Sequence, residues 1–154
     1  MKVRKKVADW GAQSASAFVA KHEGCSLEAY RCPAGVWTIG YGLTSVSGMP
    51  VHAGMKITQE RADELLAAEL EKVKGQLAGV VTKPVSQGEF IALVDFVFNV
   101  GIGNFLRSTL LKWLNKGEYA TAAYEFRRWT FAAGKSLPGL VRRREDEEKL
   151  FKEE

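Results

Sequence analysis

The spacing of apolar residues changes repeatedly along the chain, and each change marks an element. Near the start, Val3, Val7, Trp10, Ala17 and Phe18 suit one face of a helix. From Glu23 to about Gly54 the pattern is different. Glycine is dense, and β-branched and aromatic residues alternate through Val36-Trp37-Thr38-Ile39-Gly40-Tyr41, which predicts a small antiparallel sheet with tight turns. From Thr58 the period becomes helical, with Ala62, Leu65, Leu66, Glu69, Leu70, Val73 and Leu77 at three- and four-residue steps. Thr58 suits an N-cap, and Gly79 and Pro84 suit the end. A helix of about 20 residues spans roughly 30 Å, long enough to join two lobes. Ser86-Gln87-Gly88-Glu89 has the capping-box spacing and opens the apolar run Phe90–Phe98, expected as a buried central helix. Gly101 and Gly103 should break it. Ser108 can cap a short helix ending near Asn115-Lys116-Gly117, and further helices are expected over Tyr119–Trp129 and Pro138–Lys152. The order is helix, small sheet, long helix, helical bundle: an α+β chain whose sheet is a minority lobe. The boundaries expected within one domain of 1–154 are 1–22, 23–56, 57–80 and 81–154.

Composition narrows the class. With 154 residues, 46% apolar and 26% charged, the chain has the balance of one globular domain and not of a disordered or fibrous protein. Two cysteines make no disulfide framework, and two histidines make no metal-ligand cluster. The net charge of +4 is unevenly spread. Lys2, Arg4, Lys5, Lys6 and Lys21 against Asp9 carry all of it, and the remaining 17 basic and 17 acidic residues cancel. The arm 1–22 either packs on the body with its lysines in solvent or touches an anionic membrane or lipopolysaccharide surface. Nucleic acid is not expected, because the body has no basic stripe. The start resembles the basic part of an export signal, but Asp9, Gln13, Ser14 and Ser16 interrupt any apolar core, so no signal peptide is expected.

One region carries candidate chemistry. Glu23 falls where the first helix should end and the sheet begins, and such junctions form clefts. Cys32 and Thr38 lie in the turns and strands beyond it. A carboxylic acid against an apolar wall can keep its proton and act as a general acid, although an isolated Glu is more often solvated surface.

Glu23, eight residues, Cys32, five residues, Thr38, then Ile39-Gly40-Tyr41-Gly42 resembles the active-site signature of phage-type lysozymes, glycoside hydrolase family 24. Their pattern is Glu, eight residues, Asp or Cys, five residues, Thr. Two further blocks look like this family in order, Phe96–Phe105 followed by Ser108-Thr109-Leu110-Leu111, and Arg127–Lys135 followed by Gly139–Arg144. The likeness spans roughly 18–150 and is strongest to endolysins of lambda-like phages. It implies a lysozyme-like fold, with a small β lobe and a helical lobe joined by a long helix. It also implies hydrolysis of the β-1,4 bond between N-acetylmuramic acid and N-acetylglucosamine in bacterial peptidoglycan, with no metal or organic cofactor.

By the same resemblance Glu23 would protonate the departing oxygen, Thr38 would position a water, and Cys32 stands where many relatives have Asp. An inverting glycosidase uses a second carboxylate as base. A thiol with an ordinary pKa of about 8.5 is mostly neutral at pH 7. Cys32 is therefore a thiolate that activates or attacks, or a neutral thiol that orients water. A third option is that Glu23 acts alone in a lytic transglycosylase reaction that leaves an anhydro-sugar. Hydrolysis is favoured, because the whole Glu–Cys–Thr spacing is kept. Cys25 is read as a packed thiol, or as the partner of Cys32 in an oxidised bond that blocks the site.

Tyr41 and Asn99 would line the cleft and bind acetamido sugars. Packing and helix termination are their plainer roles. Arg142 or Arg143 would pair with Glu23. Against that, Arg142-Arg143-Arg144 before Glu145-Asp146-Glu147-Glu148 could make four-residue pairs on a solvated helix. Trp129 is expected in the core, and His22 is given no role. Leu43 stands where many relatives have His, which removes a loop-to-helix ion pair. The expected location is the host cytoplasm until a holin-type lesion, with action in the periplasm as a monomer. The competing classes are a non-catalytic cell-wall-binding module and an antibacterial effector.

Overall fold

The computed structural model describes residues 2–132 and 134–153. Met1 of the N-terminal arm, Ala133 of the third motif and the terminal Glu154 lie outside the described residues. The fold is α+β, a small sheet part beside a larger helical part. After two short 3-10 turns come α1 (Ser16–Glu23), then β1 (Ser26–Arg31), β2 (Trp37–Gly40), β3 (Ser45–Val46) and β4 (Met49–Pro50). The helical part follows as α2 (Gln59–Val80), α3 (Gln87–Val100), α4 (Ile102–Leu106), α5 (Thr109–Asn115) and α6 (Tyr119–Glu125). A hairpin, β5 (Phe131–Ala132) and β6 (Lys135–Ser136), precedes α7 (Pro138–Lys152).

The helix starts follow their sequence signals. Thr58 Oγ1 accepts from Arg61 N at 3.0 Å at the head of α2. Ser86 and Glu89 complete both halves of the capping box on α3, and Ser108 Oγ accepts from Leu111 N on α5. Each cap contributes about 1 kcal/mol.

The β lobe is small. β1 and β2 pair antiparallel with an irregularity between Ser26 and Tyr30. The chain near Met55–Ile57 hydrogen-bonds to the β1 segment, with Ala29 N to Met55 O and Ile57 N to Leu27 O. β3 and β4 join through Ser47 and Gly48, both at positive φ, a turn whose twist suits a two-residue hairpin. Ile39, Val46 and Val51 form this lobe's own core, with Leu65 of α2 packed against it.

The main core lies between α2 and α3 and is closed by α5, α6 and α7. Leu66, Leu70, Val73 and Leu77 of α2 face Phe90, Leu93, Val94 and Val97 of α3. Phe96 collects Phe105, Phe126 and Trp129 edge-on at 6.1, 5.4 and 5.6 Å. Trp129 thus packs, half-buried, against the core. The helix expected over Tyr119–Trp129 stops at Glu125 and gives way to a 3-10 turn at Phe126–Arg128. That break lets both Phe126 and Trp129 reach Phe96.

The N-terminal segment departs from expectation. It is not one amphipathic helix, since helix begins only at Ser16, and Val3 is exposed. Instead Lys5 pairs with Val85 through two backbone hydrogen bonds of 2.9 and 2.7 Å, and Trp10 Nε1 donates to Val85 O. A short segment is a poor helix by itself, and burial of Glu89 supplies a stronger demand. The Glu89 carboxylate has no solvent exposure. It accepts from Arg4 Nε and Nη2 at 3.0 and 2.8 Å, from Lys2 Nζ at 3.0 Å and from Ser86 N at 2.8 Å. Two of the five cations of the basic arm, Lys2 and Arg4, are therefore tied to the body. Burial pushes the Glu89 carboxyl up, but Arg4, the Ser86 N–H and Lys2 outweigh it and hold it below its ordinary value.

A depressed folded-state pKa means that this stabilisation is present above the unfolded value, about 4.3, and is lost as pH falls through the folded one. Glu89→Gln is expected to cost about 3 kcal/mol at pH 7, measured by urea unfolding. The gap between variant and wild type should close as the pH falls below about 4.

Candidate active site

Glu23 is the last residue of α1, and Gly24 ends that helix by donating to Ala20 O at 2.9 Å. The Glu23 side chain is largely shielded, at 16% exposure. It touches both lobes. Oε2 accepts from Arg143 Nη1 at 2.7 Å, which ties it to α7. Oε1 faces the backbone of Gly42, where a Cβ would lie 2.6 Å from it. Gly42 also has φ +81°, a conformation that other residues rarely take. The Gly40-Tyr41-Gly42 run therefore brings the β lobe against the acid by main chain.

Cys32 and Thr38 flank the β1–β2 turn. Cys32 N donates to Val36 O at 2.9 Å, and Gly35 N donates to Cys32 O at 2.7 Å. Thr38 is buried on β2, and its hydroxyl donates to Val36 O at 3.0 Å. Hydrogen bonds from the Val36 and Ala34 backbone, and a smaller one from Thr38, hold the Cys32 thiol below its ordinary pKa. Cys25 is exposed, its Sγ 3.9 Å from Gln59 Oε1, and both thiols are free.

Of the two arginines expected near the acid, Arg143 is the partner and Arg142 is exposed. The solvated-helix reading of 142–148 fails. Arg143, Arg144, Glu147 and Glu148 are all buried, because α7 lies along α3 with this face inward. Arg143 is bidentate to Asp95 of α3, Nε to Oδ2 at 2.8 Å and Nη2 to Oδ1 at 2.7 Å. Arg144 Nη2 donates to Asn99 Oδ1 at 2.6 Å. Asn99 is half-buried, with its amide nitrogen left to donate. Tyr41 donates its hydroxyl to Asp63 Oδ1 at 2.9 Å and accepts from Gln59 Nε2 at 3.0 Å, which ties the glycine-rich run to α2. The Asp63 contact raises the phenol pKa.

Asp95, Arg144 and Glu147 escaped the sequence reading. Asp95 had a signal, a lone acid inside the apolar run Phe90–Phe98. Glu147 had none that set it apart from its acidic neighbours. Beside the site runs a cleft of about 850 Å³, between the β lobe, α2 and the end of α3, lined in part by Gly42, Leu43, Leu65, Val97, Phe98 and Ile102. Leu43 presents an apolar side chain to it and pairs with Ile39 through the backbone.

The family model for phage lysozyme matches residues 20–147. The chain belongs to the phage lysozyme family. It is a peptidoglycan-hydrolysing glycoside hydrolase of the lysozyme type. The enzyme is 41% identical over 137 residues to an endolysin of Acyrthosiphon pisum secondary endosymbiont phage 1, covering 86% of this chain and 91% of that one. Among solved structures it resembles the endolysin from Escherichia coli O157:H7 phage FAHEc1 with a TM-score of 0.84 and 33% identity, covering 99% and 97% of the two chains. It also resembles the muramidase domain of SpmX from Asticaccaulis excentricus, with a TM-score of 0.83 and 33% identity over 94% and 99%.

The approach of Gly42 to Glu23 gives a direct test. Gly42→Ala is expected to keep the fold, at a cost of about 1–3 kcal/mol from the left-handed backbone. It should lower the rate of sacculus clearing at least about tenfold, because the added methyl displaces the acid. Thermal melting and a turbidity assay read the two effects separately.

Proposed function

We propose that this lysozyme cleaves the β-1,4 bond between N-acetylmuramic acid and N-acetylglucosamine by hydrolysis, with Glu23 as general acid. The observation that carries the reading is the Glu23 carboxyl itself. It is oriented by one guanidinium N–H on Oε2, and its other oxygen is turned to the Gly42 main chain beside the cleft. A group so oriented can pass its proton to a departing glycosidic oxygen. Water then attacks from the opposite face. Thr38 and Cys32 are the groups proposed to hold that water. The lowered thiol pKa favours a share of thiolate that can take the water's proton, the task a carboxylate has in inverting glycosidases. Tyr41 and the free amide nitrogen of Asn99 are proposed to hydrogen-bond the sugars, and Arg143 to position the acid. The proposed setting is the periplasm, reached from the host cytoplasm through a holin-type lesion, with the enzyme acting as a monomer.

Glu23→Gln is expected to lower clearing of purified sacculi at least about a hundredfold while circular dichroism stays native. Mass spectrometry of wild-type products should find reducing muramic ends. Full activity of Glu23→Gln would overturn the acid assignment, and only anhydro ends would replace hydrolysis by transglycosylation.

The proposed contact with an anionic membrane or lipopolysaccharide falls to Lys5 and Lys6, since Lys2 and Arg4 are committed to Glu89. Replacing Lys5 and Lys6 together by Gln should weaken binding to phosphatidylglycerol vesicles and spare activity on sacculi. Unchanged vesicle binding would make the arm purely structural.

A further inference from the structure

Three segments distant in sequence meet at the far end of α2. Lys5 of the arm pairs with Val85 through the backbone. Asn115, at the end of α5, donates to Val80 O and accepts from Thr82 N, both at 2.9 Å. Tyr119 donates its hydroxyl to Pro84 O at 2.6 Å. The Lys83 side chain reaches the turn after α5, since a Cβ at Gly117 would lie 3.9 Å from its Cε. These contacts collect Lys5, Lys6, Lys83, Lys112 and Lys116, all of them exposed. The segments 5–9, 82–85 and 112–118 hold two acids beside them, Asp9 and Glu118. Among the described residues none of the five lysines forms an ion pair. The body is neutral in sum, yet packing gives it a basic face that no single stretch of sequence displays.

The face is not purely polar. Lys5 Nζ lies 4.8 Å from the centre of the Trp10 ring, and the Nζ atoms of Lys112 and Lys116 lie 5.5 and 5.2 Å from that of Trp113. Both indoles are half-buried. Between the arm and the loop after α2 lies a cavity of about 400 Å³, lined by Lys6 and Lys83 and by the apolar Val7, Val81 and Pro84. Cations interleaved with indole rings and an apolar pit suit a phospholipid surface, which presents phosphate above glycerol and acyl carbon. The hydrated carboxylates of the cell wall would use the charge and leave the apolar parts without a partner.

We propose that this face is a docking surface for an anionic phospholipid membrane, built by the arm and the body together. The proposal rests on the reading that Lys5 and Lys6 meet an anionic surface, and it adds Lys83, Lys112 and Lys116 from the body. It also fixes where the catalytic end stands. Glu23 meets the β lobe at Gly42, and the adjoining Tyr41 is bound to Gln59, the first residue of α2. The lysine face gathers at Val80, the last residue of that helix. The 22 residues of α2 hold the two ends roughly 30 Å apart. Lipid contact at one end leaves the acid and the β lobe at the other.

Lys83→Gln, Lys112→Gln and Lys116→Gln combined, with the arm intact, should weaken sedimentation with phosphatidylglycerol vesicles at least about tenfold. The melting temperature, and kcat and KM on purified sacculi, should stay at the wild-type values. Equal vesicle binding by this variant and the wild type would overturn the proposal. A KM on sacculi raised as far as vesicle binding is weakened would also overturn it, because the partner would then be the anionic wall. The double variant Lys5→Gln and Lys6→Gln, measured in parallel, separates the two readings. Loss of vesicle binding in the double variant alone removes the body lysines and leaves the arm contact standing. No loss in either variant removes both.

Discussion

One guanidinium holds the site together. Arg143 spends two N–H groups on Asp95 and a third on Glu23, which ties α7 to the end of α1 through the middle of α3. Burying these charges is costly, and the bidentate fork to Asp95 with a third N–H on Glu23 is what makes it tolerable. The arrangement has a consequence for catalysis. A carboxyl at a helix terminus would sample several rotamers, and a single aligned donor from a rigid helix removes most of that freedom. In the proposed mechanism the position of α7 therefore decides the direction in which Glu23 would deliver a proton.

The β lobe meets this fixed acid by main chain. Gly42 brings its backbone where a methyl would collide with Glu23, and the hydroxyl of Tyr41 secures the same run to Asp63 and Gln59 on α2. The lobe's own core of Ile39, Val46 and Val51 is too small to be rigid alone, so its anchorage on α2 matters. Cys32 and Thr38 are held in that lobe by the turn that Val36 closes. Glu23 belongs to the helical lobe, Cys32 and Thr38, its proposed helpers, belong to the sheet lobe, and the cleft is lined by both. At the far end of α3, Glu89 plays a comparable part in stability. It gathers Lys2 and Arg4 onto the capped start of the central helix and converts a basic arm into a strap.

Sequence reading succeeds here where the physics is local. Caps at Thr58, Ser86 and Ser108, the periodicity of α2, the apolar run of α3 and the spacing of Glu23, Cys32 and Thr38 are all decided within a few residues of chain. It fails where a residue's meaning depends on what lies across the fold. Val3, Val7 and Trp10 are spaced as a helix face, yet the chain is extended up to Lys6, where Lys5 bridges to Val85, and makes only a short 3-10 turn at Val7–Asp9. Arg143, Arg144, Glu147 and Glu148 have the spacing of surface ion pairs, yet they are buried because α3 covers that face of α7. Phe126 and Trp129 leave helix early because both are drawn to Phe96.

The sequence by itself determined most of the helices, where the small sheet falls and to which family the chain belongs. The uneven charge was equally visible there, but not its use. Only the tertiary structure decided that Arg143 meets Glu23, that Asp95 anchors that arginine, and that Glu147 is buried against Arg144. The reason is range. Caps and periodicity act over three or four residues, whereas the partner of a buried charge is whichever group packing brings within about 3 Å. For Glu23 that group comes 120 residues later in the chain.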